Sequence, residues 1–130
     1  MATVSSGNYG DANTFNLKEI DTLDIRDEVY DLFVEGEEAI QSFQTVRDQV
    51  IFTNKRIFVV NVQGITGKKV SYISYPYSKI QTFGIRTAGM LDIDSELKVT
   101  FISGASLQFD FKSKVDIKKI CANISNYVLK

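Results

Sequence analysis

The chain contains no histidine. That absence removes every Ser-His, Cys-His and His-metal arrangement at once, and with them the commonest general base near neutral pH. The single cysteine, Cys121, excludes an internal disulfide and a thiolate zinc cage, and fits a reducing compartment. An excess of one charge is also lacking. The 15 Lys and Arg stand against 16 Asp and Glu, which points neither to nucleic acid nor to a strongly acidic partner. Long apolar runs are missing: the longest near the middle, Ile57 to Val60, has four residues, where a spanning helix needs about twenty. Residues 1–16 hold no basic or apolar stretch of a secretory signal, Ala2 stands where myristoylation needs glycine, and Tyr127-Val128-Leu129-Lys130 is no prenylation box. The expected location is the cytoplasm.

What is present describes one globular domain. With 130 residues, 44% of them apolar and 24% charged, the chain can bury roughly two-thirds of its unfolded surface. Residues 1–38 carry Lys18 and Arg26 against ten acids, whereas the remainder carries 13 basic and 6 acidic side chains. Polar, small residues make 1–16 an expected flexible arm. From Leu17 to Gly36 the apolar residues Leu17, Ile20, Leu23, Val29, Leu32 and Phe33 recur at threes and fours, which predicts an acidic N-terminal helical segment over 17–36. The main domain is then 37–130.

Beyond Glu38 the period becomes two. Leu97, Val99 and Phe101 alternate with Lys98 and Thr100, and Leu107, Phe109 and Phe111 with Gln108 and Asp110. Ser103-Gly104-Ala105 between them reads as a hairpin turn. Similar segments near 38–47, 49–53, 56–62, 68–75 and 80–88 complete seven short strands, the pattern of a small antiparallel barrel or sandwich. The last segment is helical. Ile117, Ile120, Cys121, Ile124, Tyr127 and Val128 form one stripe, with Lys114, Lys118, Lys119 and Asn123 off it, and Ser113 with Asp116 has the form of a capping box.

Several strands are apolar on both sides. Ile57 and Val59 oppose Phe58 and Val60, and Ile73 and Tyr75 oppose Val70 and Tyr72. A small barrel has one inside, so the second face needs a cover. The N-terminal segment or another subunit could supply it, and on the second reading Phe58, Val60, Tyr72, Ile73 and Tyr75 are the candidate oligomer contacts.

Three other motifs fall short. Gly64-Ile65-Thr66-Gly67-Lys68-Lys69 lacks the spacing and hydroxyl of a phosphate loop and reads as a β-turn. Asp92-Ile93-Asp94-Ser95-Glu96 opens like a calcium loop but has Leu97 and Ser103 where glycine and glutamate belong. Asn123-Ile124-Ser125 is a sequon on a helix. No catalytic, metal or cofactor residue is assigned. The candidate anion or lipid contacts are Arg47, Lys55, Arg56, Lys68 and Lys69, all at or beside strand ends.

Three ordered blocks resemble the bacterial pleckstrin-homology-like family. They are Arg47-Asp48-Gln49-Val50-Ile51-Phe52-Thr53-Asn54-Lys55-Arg56, Tyr75-Pro76-Tyr77-Ser78-Lys79-Ile80, and Thr87-Ala88-Gly89 through Leu97-Lys98. The resemblance implies a strongly bent seven-stranded antiparallel sheet capped by the C-terminal helix, without established catalysis. It also implies homo-oligomers, ring-like and built through the outer strands, so the expected partner is the chain itself; apart from the resemblance, another protein is a second candidate partner. Arg86 stands where the family pattern has glutamate, so an ion pair there is expected to be either lost or re-partnered. Asp48 and Arg56 are expected to pair within a hairpin. The basic set with which eukaryotic relatives grip phosphoinositides is not matched by Arg47-Asp48-Gln49, which leaves binding of an anionic lipid or phosphate headgroup as the alternative to a scaffold.

Overall fold

The structure, a computed structural model, describes residues 14–87, 94–112 and 114–129. Eight strands form one sheet: β1 (Thr14–Ile20), β2 (Ala39–Gln44), β3 (Gln49–Thr53), β4 (Arg56–Gln63), β5 (Lys69–Pro76), β6 (Ile80–Thr87), β7 (Ser95–Phe101) and β8 (Ser106–Phe111). Two helices, α1 (Asp27–Asp31) and α2 (Ile117–Val128), and 3-10 turns at Thr22–Asp24 and Tyr77–Lys79 are the remaining elements among the described residues. Across the sheet the order is β5-β4-β3-β2-β1-β8-β7-β6. The expected mainly β class with a C-terminal helix holds, but the strands number eight rather than seven.

The additional strand is β1, and it corrects the expected helix over 17–36. Thr14–Leu17 run parallel to Gln108–Phe111 of β8, and Lys18–Ile20 run antiparallel to Ser42–Gln44 of β2. One strand therefore changes partner halfway and joins two antiparallel wings, β2–β5 and β6–β8. Phe15 and Leu17 are buried while Asn16 and Lys18 are exposed, so the period here is two. Leu23, counted into the helical rhythm, is 91% exposed. Helix survives only as the five residues of α1. Thr14–Asn16, read as part of an arm, lie in the sheet. Residues 1–13, the core of the Thr-Ala-Gly block, the first two residues of the calcium-like stretch and Ser113 lie outside the described residues.

The bend of the sheet encloses one core. Phe43, Val50, Phe52, Ile57, Val59, Ile73 and Tyr75 from one wing meet Leu97, Val99, Phe101, Leu107, Phe109 and Phe111 from the other. Stacked and edge-on ring pairs, such as Phe52 with Phe109 at 5.3 Å between centroids, fill the centre. The β7–β8 turn forms as its glycine suggests: Gly104 takes φ +95° and donates its N–H to the Phe101 carbonyl.

Helix α2 closes one end of this core. Ile117, Ile120 and Ile124 are buried, with Cys121, Tyr127 and Val128 packed beside them. Asp116 is the N-cap, its carboxylate accepting from the Lys119 N–H at 3.1 Å. Burial pushes the Cys121 thiol up, as befits a small core residue. Asn123, off the apolar stripe, faces protein rather than water. Its amide donates to the Thr53 carbonyl (2.8 Å) and to the Tyr77 hydroxyl (3.1 Å), and Tyr77 donates to the same carbonyl at 2.7 Å. Tyr77 is wholly buried, and burial first of all holds its phenol far above the ordinary tyrosine range. This triangle ties α2 to the end of β3 and to the corner that follows Pro76. Tyr77→Phe and Asn123→Ala each remove two of the three bonds and are each expected to cost about 1–2 kcal/mol. Denaturant unfolding checks both, and variants as stable as the parent would contradict the assignment.

Candidate interaction surfaces

The alternation along β4 and β5 is borne out residue by residue. Ile57, Val59, Ile73 and Tyr75 face the main core, while Phe58, Val60, Val70 and Tyr72 face a second cluster with Ile51, Ile25, Val29 and Phe33. The second face is thus covered within the chain by residues 22–33. Of the five candidate oligomer contacts, Phe58 and Val60 are fully buried under this cover, and Ile73 and Tyr75 are buried inside the barrel. Tyr72 is half-buried, and its hydroxyl donates to Glu28 at 3.3 Å. Those five residues do not form one free surface, because alternate residues of a strand point to opposite sides.

Polar bonds fix the cover. Gln49 on β3 accepts from the Arg26 N–H (3.0 Å) and donates to the Asp24 carbonyl (2.9 Å). Asn54 in the β3–β4 turn accepts from the Glu38 N–H and donates to the Gly36 carbonyl, both at 2.9 Å. The Arg56 guanidinium holds Glu37 through Nη2 at 2.8 Å and Nε at 3.0 Å, reaches the Leu32 carbonyl at 2.6 Å, and lies 4.1 Å over the Phe58 ring. Thr53 adds a 2.7 Å bond to the same carboxylate. The Glu37 side chain is fully enclosed and that of Arg56 one-fifth exposed. Burial alone would push the Glu37 carboxyl up; the bonds from Arg56, Thr53 and the Val34 N–H outweigh it and leave the carboxyl below its usual range. Most of the Thr53-Asn54-Lys55-Arg56 motif is therefore a bracket for the chain between Leu32 and Glu38.

Asp48 and Arg56 do not pair as expected. They lie at opposite ends of the β3–β4 hairpin, whose register sets Gln49 against Val60 and Phe52 against Ile57. Asp48 accepts from the Val62 N–H (2.9 Å) and from Asn61 (3.3 Å), while Arg47 donates to the Gly64 carbonyl. These bonds join the β2–β3 turn to the β4–β5 turn. Arg86 pairs across strands with Glu96 at 3.6 Å, both side chains partly or largely exposed.

The five candidate cations divide between two ends of the barrel. The β4–β5 ladder places Arg56 opposite Pro76 and Gln63 opposite Lys69, seven residue steps apart and so about 23 Å. Arg47, Lys68 and Lys69 are exposed at the turn end. Lys55 and Arg56 are at the end closed by α2, where Arg56 is already engaged. Capture of one phosphate by all five is not what this arrangement offers.

Two sheet edges remain. β5 and β6, eight residues each, stand at the two ends of the strand order. They join at the tight corner Tyr77–Lys79 and, among the described residues, no ladder pairs them further on. On β6, Phe83 pairs with Val99 and Ile85 with Leu97, so both face inward, but Phe83 is only half-buried and Ile85 is 42% exposed. The outer side of β6–β8 forms an open concavity of ≈ 580 Å³ lined by Thr82, Gly84, Arg86, Glu96, Lys98 and Gln108. Among the described residues no group of three or more acidic or sulfur ligands could hold a metal ion, and no helix is long and apolar enough to cross a membrane.

A bent sheet with a C-terminal helix over one end defines a pleckstrin-homology-like domain. The chain belongs to the bacterial PH domain family, whose model matches residues 8–128. It is 41% identical over 115 residues to the uncharacterized protein YjqA of Bacillus subtilis strain 168, covering 84% of this chain and 91% of that one. A second relative from the same organism, the uncharacterized protein YozO, is 31% identical over 97 residues, covering 75% and 83%. Among solved structures, a DUF1696 family protein with a pleckstrin-homology domain from Shewanella loihica PV-4 superposes with TM-score 0.72 at 34% identity, covering 86% of this chain and 97% of that one. A pleckstrin homology domain from Shewanella amazonensis SB2B gives 0.61 at 36%, covering 89% and 94%.

The Glu37–Arg56 bracket makes a prediction about stability. Glu37→Gln leaves the guanidinium without its counter-charge in a largely enclosed site and is expected to cost about 3 kcal/mol. Because the carboxyl is held below its ordinary value on folding, its contribution is complete above about pH 4.3, the unfolded value, and is lost as pH falls through the folded one. Denaturant midpoints measured from neutral to acid pH should fall for the parent. The gap between parent and variant should narrow with acid, and a constant gap would contradict the assignment.

Proposed function

We propose that the domain acts without catalysis, as an interaction module that self-assembles through the two edges of its sheet. The observation that carries this reading is the pair of long, unpaired edges β5 and β6 on one sheet, with Ile85 and Phe83 incompletely covered beside the second. Exposed strand edges are templates for pairing with another chain, and proteins usually blunt or cover them. Pairing β5 of one copy with β6 of the next is a heterologous contact, which closes into a ring when the rotation allows. The burial of Phe58 and Val60 within one chain moves the expected interface from the face of the sheet to its edges. A ring would present the same surface repeatedly and turn weak contacts with a further protein into avidity.

Light scattering coupled to size-exclusion chromatography tests the proposal. The parent should elute as a defined oligomer at micromolar concentration. Ile85→Glu, which places a charge beside the β6 edge at a partly exposed position, should shift it to monomer with an unchanged circular dichroism spectrum. A parent that is monomeric throughout that range would sink the reading.

A further inference from the structure

The two most exposed large apolar side chains among the described residues are Val46 and Ile65, at 102% and 106% relative exposure. Neither is a stray residue of a loose loop. Val46 occupies a tight turn in which the Thr45 N–H bonds the Asp48 carbonyl at 2.9 Å and the Thr45 hydroxyl accepts from the Asp48 N–H at 2.9 Å. Ile65 occupies the turn closed by the Gly67 N–H on the Gly64 carbonyl at 3.2 Å, with both glycines at positive φ. The Arg47–Gly64 bond ties the two turns together, so both apolar tips are held at one end of the barrel, opposite α2.

The charges around the tips are positive except for Asp48 in the first turn. Arg47 follows Val46, Lys68 and Lys69 follow the second turn, and Lys18 lines the small groove beside Val46. The acid of these turns, Asp48, is directed inward to the Val62 N–H and the Asn61 amide. Water offers these aliphatic tips nothing, and a small turn has no need of them for its geometry. Apolar tips ringed by cations match a surface that is apolar just beneath an anionic layer.

We infer that this end of the domain docks on an anionic lipid bilayer, with Val46 and Ile65 entering the interface and Arg47, Lys68, Lys69 and Lys18 meeting the headgroups. This deepens the headgroup alternative and is independent of self-assembly. It uses the cations at the turn end only, and it takes no specific phosphate pocket. Each cation near such a surface is worth about 1 kcal/mol, roughly fivefold in partition.

The chain has no tryptophan, so Ile65→Trp supplies a single reporter. The experiment mixes the full chain with vesicles of phosphatidylcholine alone or with phosphatidylglycerol, and follows co-sedimentation and tryptophan emission. Binding is expected to the mixed vesicles only, with a blue-shifted emission for Ile65→Trp. The double change Val46→Asp/Ile65→Asp should abolish it, and Lys68→Glu/Lys69→Glu should weaken it by at least about twentyfold. All these positions are exposed, and circular dichroism verifies that the variants fold. No sedimentation with either vesicle would overturn the inference, as would binding that persists in the double aspartate variant or proceeds without an emission shift. The same samples are weighed by light scattering, which reports self-assembly separately. A change of mass, rather than of lipid binding, on altering the tips would assign them to a protein contact and also overturn the inference.

Discussion

The contact between Glu37 and Arg56 is the charged centre of the bonds that hold the chain between Leu32 and Glu38 against the β3–β4 turn. A sheet apolar on both faces is stable in water only when both faces are covered, and here the covers have different origins. The bend of the sheet and α2 cover one face. A short segment, residues 22–33, built of one 3-10 turn and the five-residue α1, covers the other. Helical pieces this short are not stable by themselves, so the segment's position depends on what it is tied to. Arg56 supplies the tie by binding the Glu37 carboxylate and the Leu32 carbonyl while stacking on Phe58, itself a member of the covered cluster.

This arrangement separates roles along the barrel. The motif at the β3–β4 turn, with its two cations, is occupied in holding the cover and the α2 end. The Asn123–Tyr77–Thr53 triangle is at that same end. The opposite end carries short turns joined by the Arg47–Gly64 bond, with the side chains of Val46 and Ile65 projecting into solvent. The sheet edges form a third element, set apart from both ends by the strand order. Structural demand is concentrated at one end and along the cores.

Much of this was legible in the sequence, and the failures have physical causes. Period-two patterns located seven strands, and the stripe of α2 was read correctly because its three buried isoleucines repeat at helical spacing. β1 was missed because Leu17, Ile20 and Leu23 also fit a three-residue step, and one strand split between two partners is too short on each side to dominate a pattern. The need for a second cover was legible in Phe58 and Val60, but whether it came from the same chain depended on contacts such as Gln49 with Arg26, which no spacing encodes. The bracing roles of Glu37 and Asn123 are hidden for the same reason. Their partners lie 19 and as many as 70 residues away, and each residue alone resembles an ordinary surface position. The cations were found by type, but only the ladder register showed that they fall into two groups.

The central claim is that the second face is covered by the chain's own N-terminal segment. Isotope-filtered nuclear Overhauser measurements on a mixture of labelled and unlabelled protein separate contacts within a chain from contacts between chains. The account predicts that Ile25 and Val29 show cross-peaks to Phe58 and Val60 in the intrachain spectrum alone. Those cross-peaks appearing in the interchain spectrum would contradict it, because the cover would then belong to a neighbouring copy.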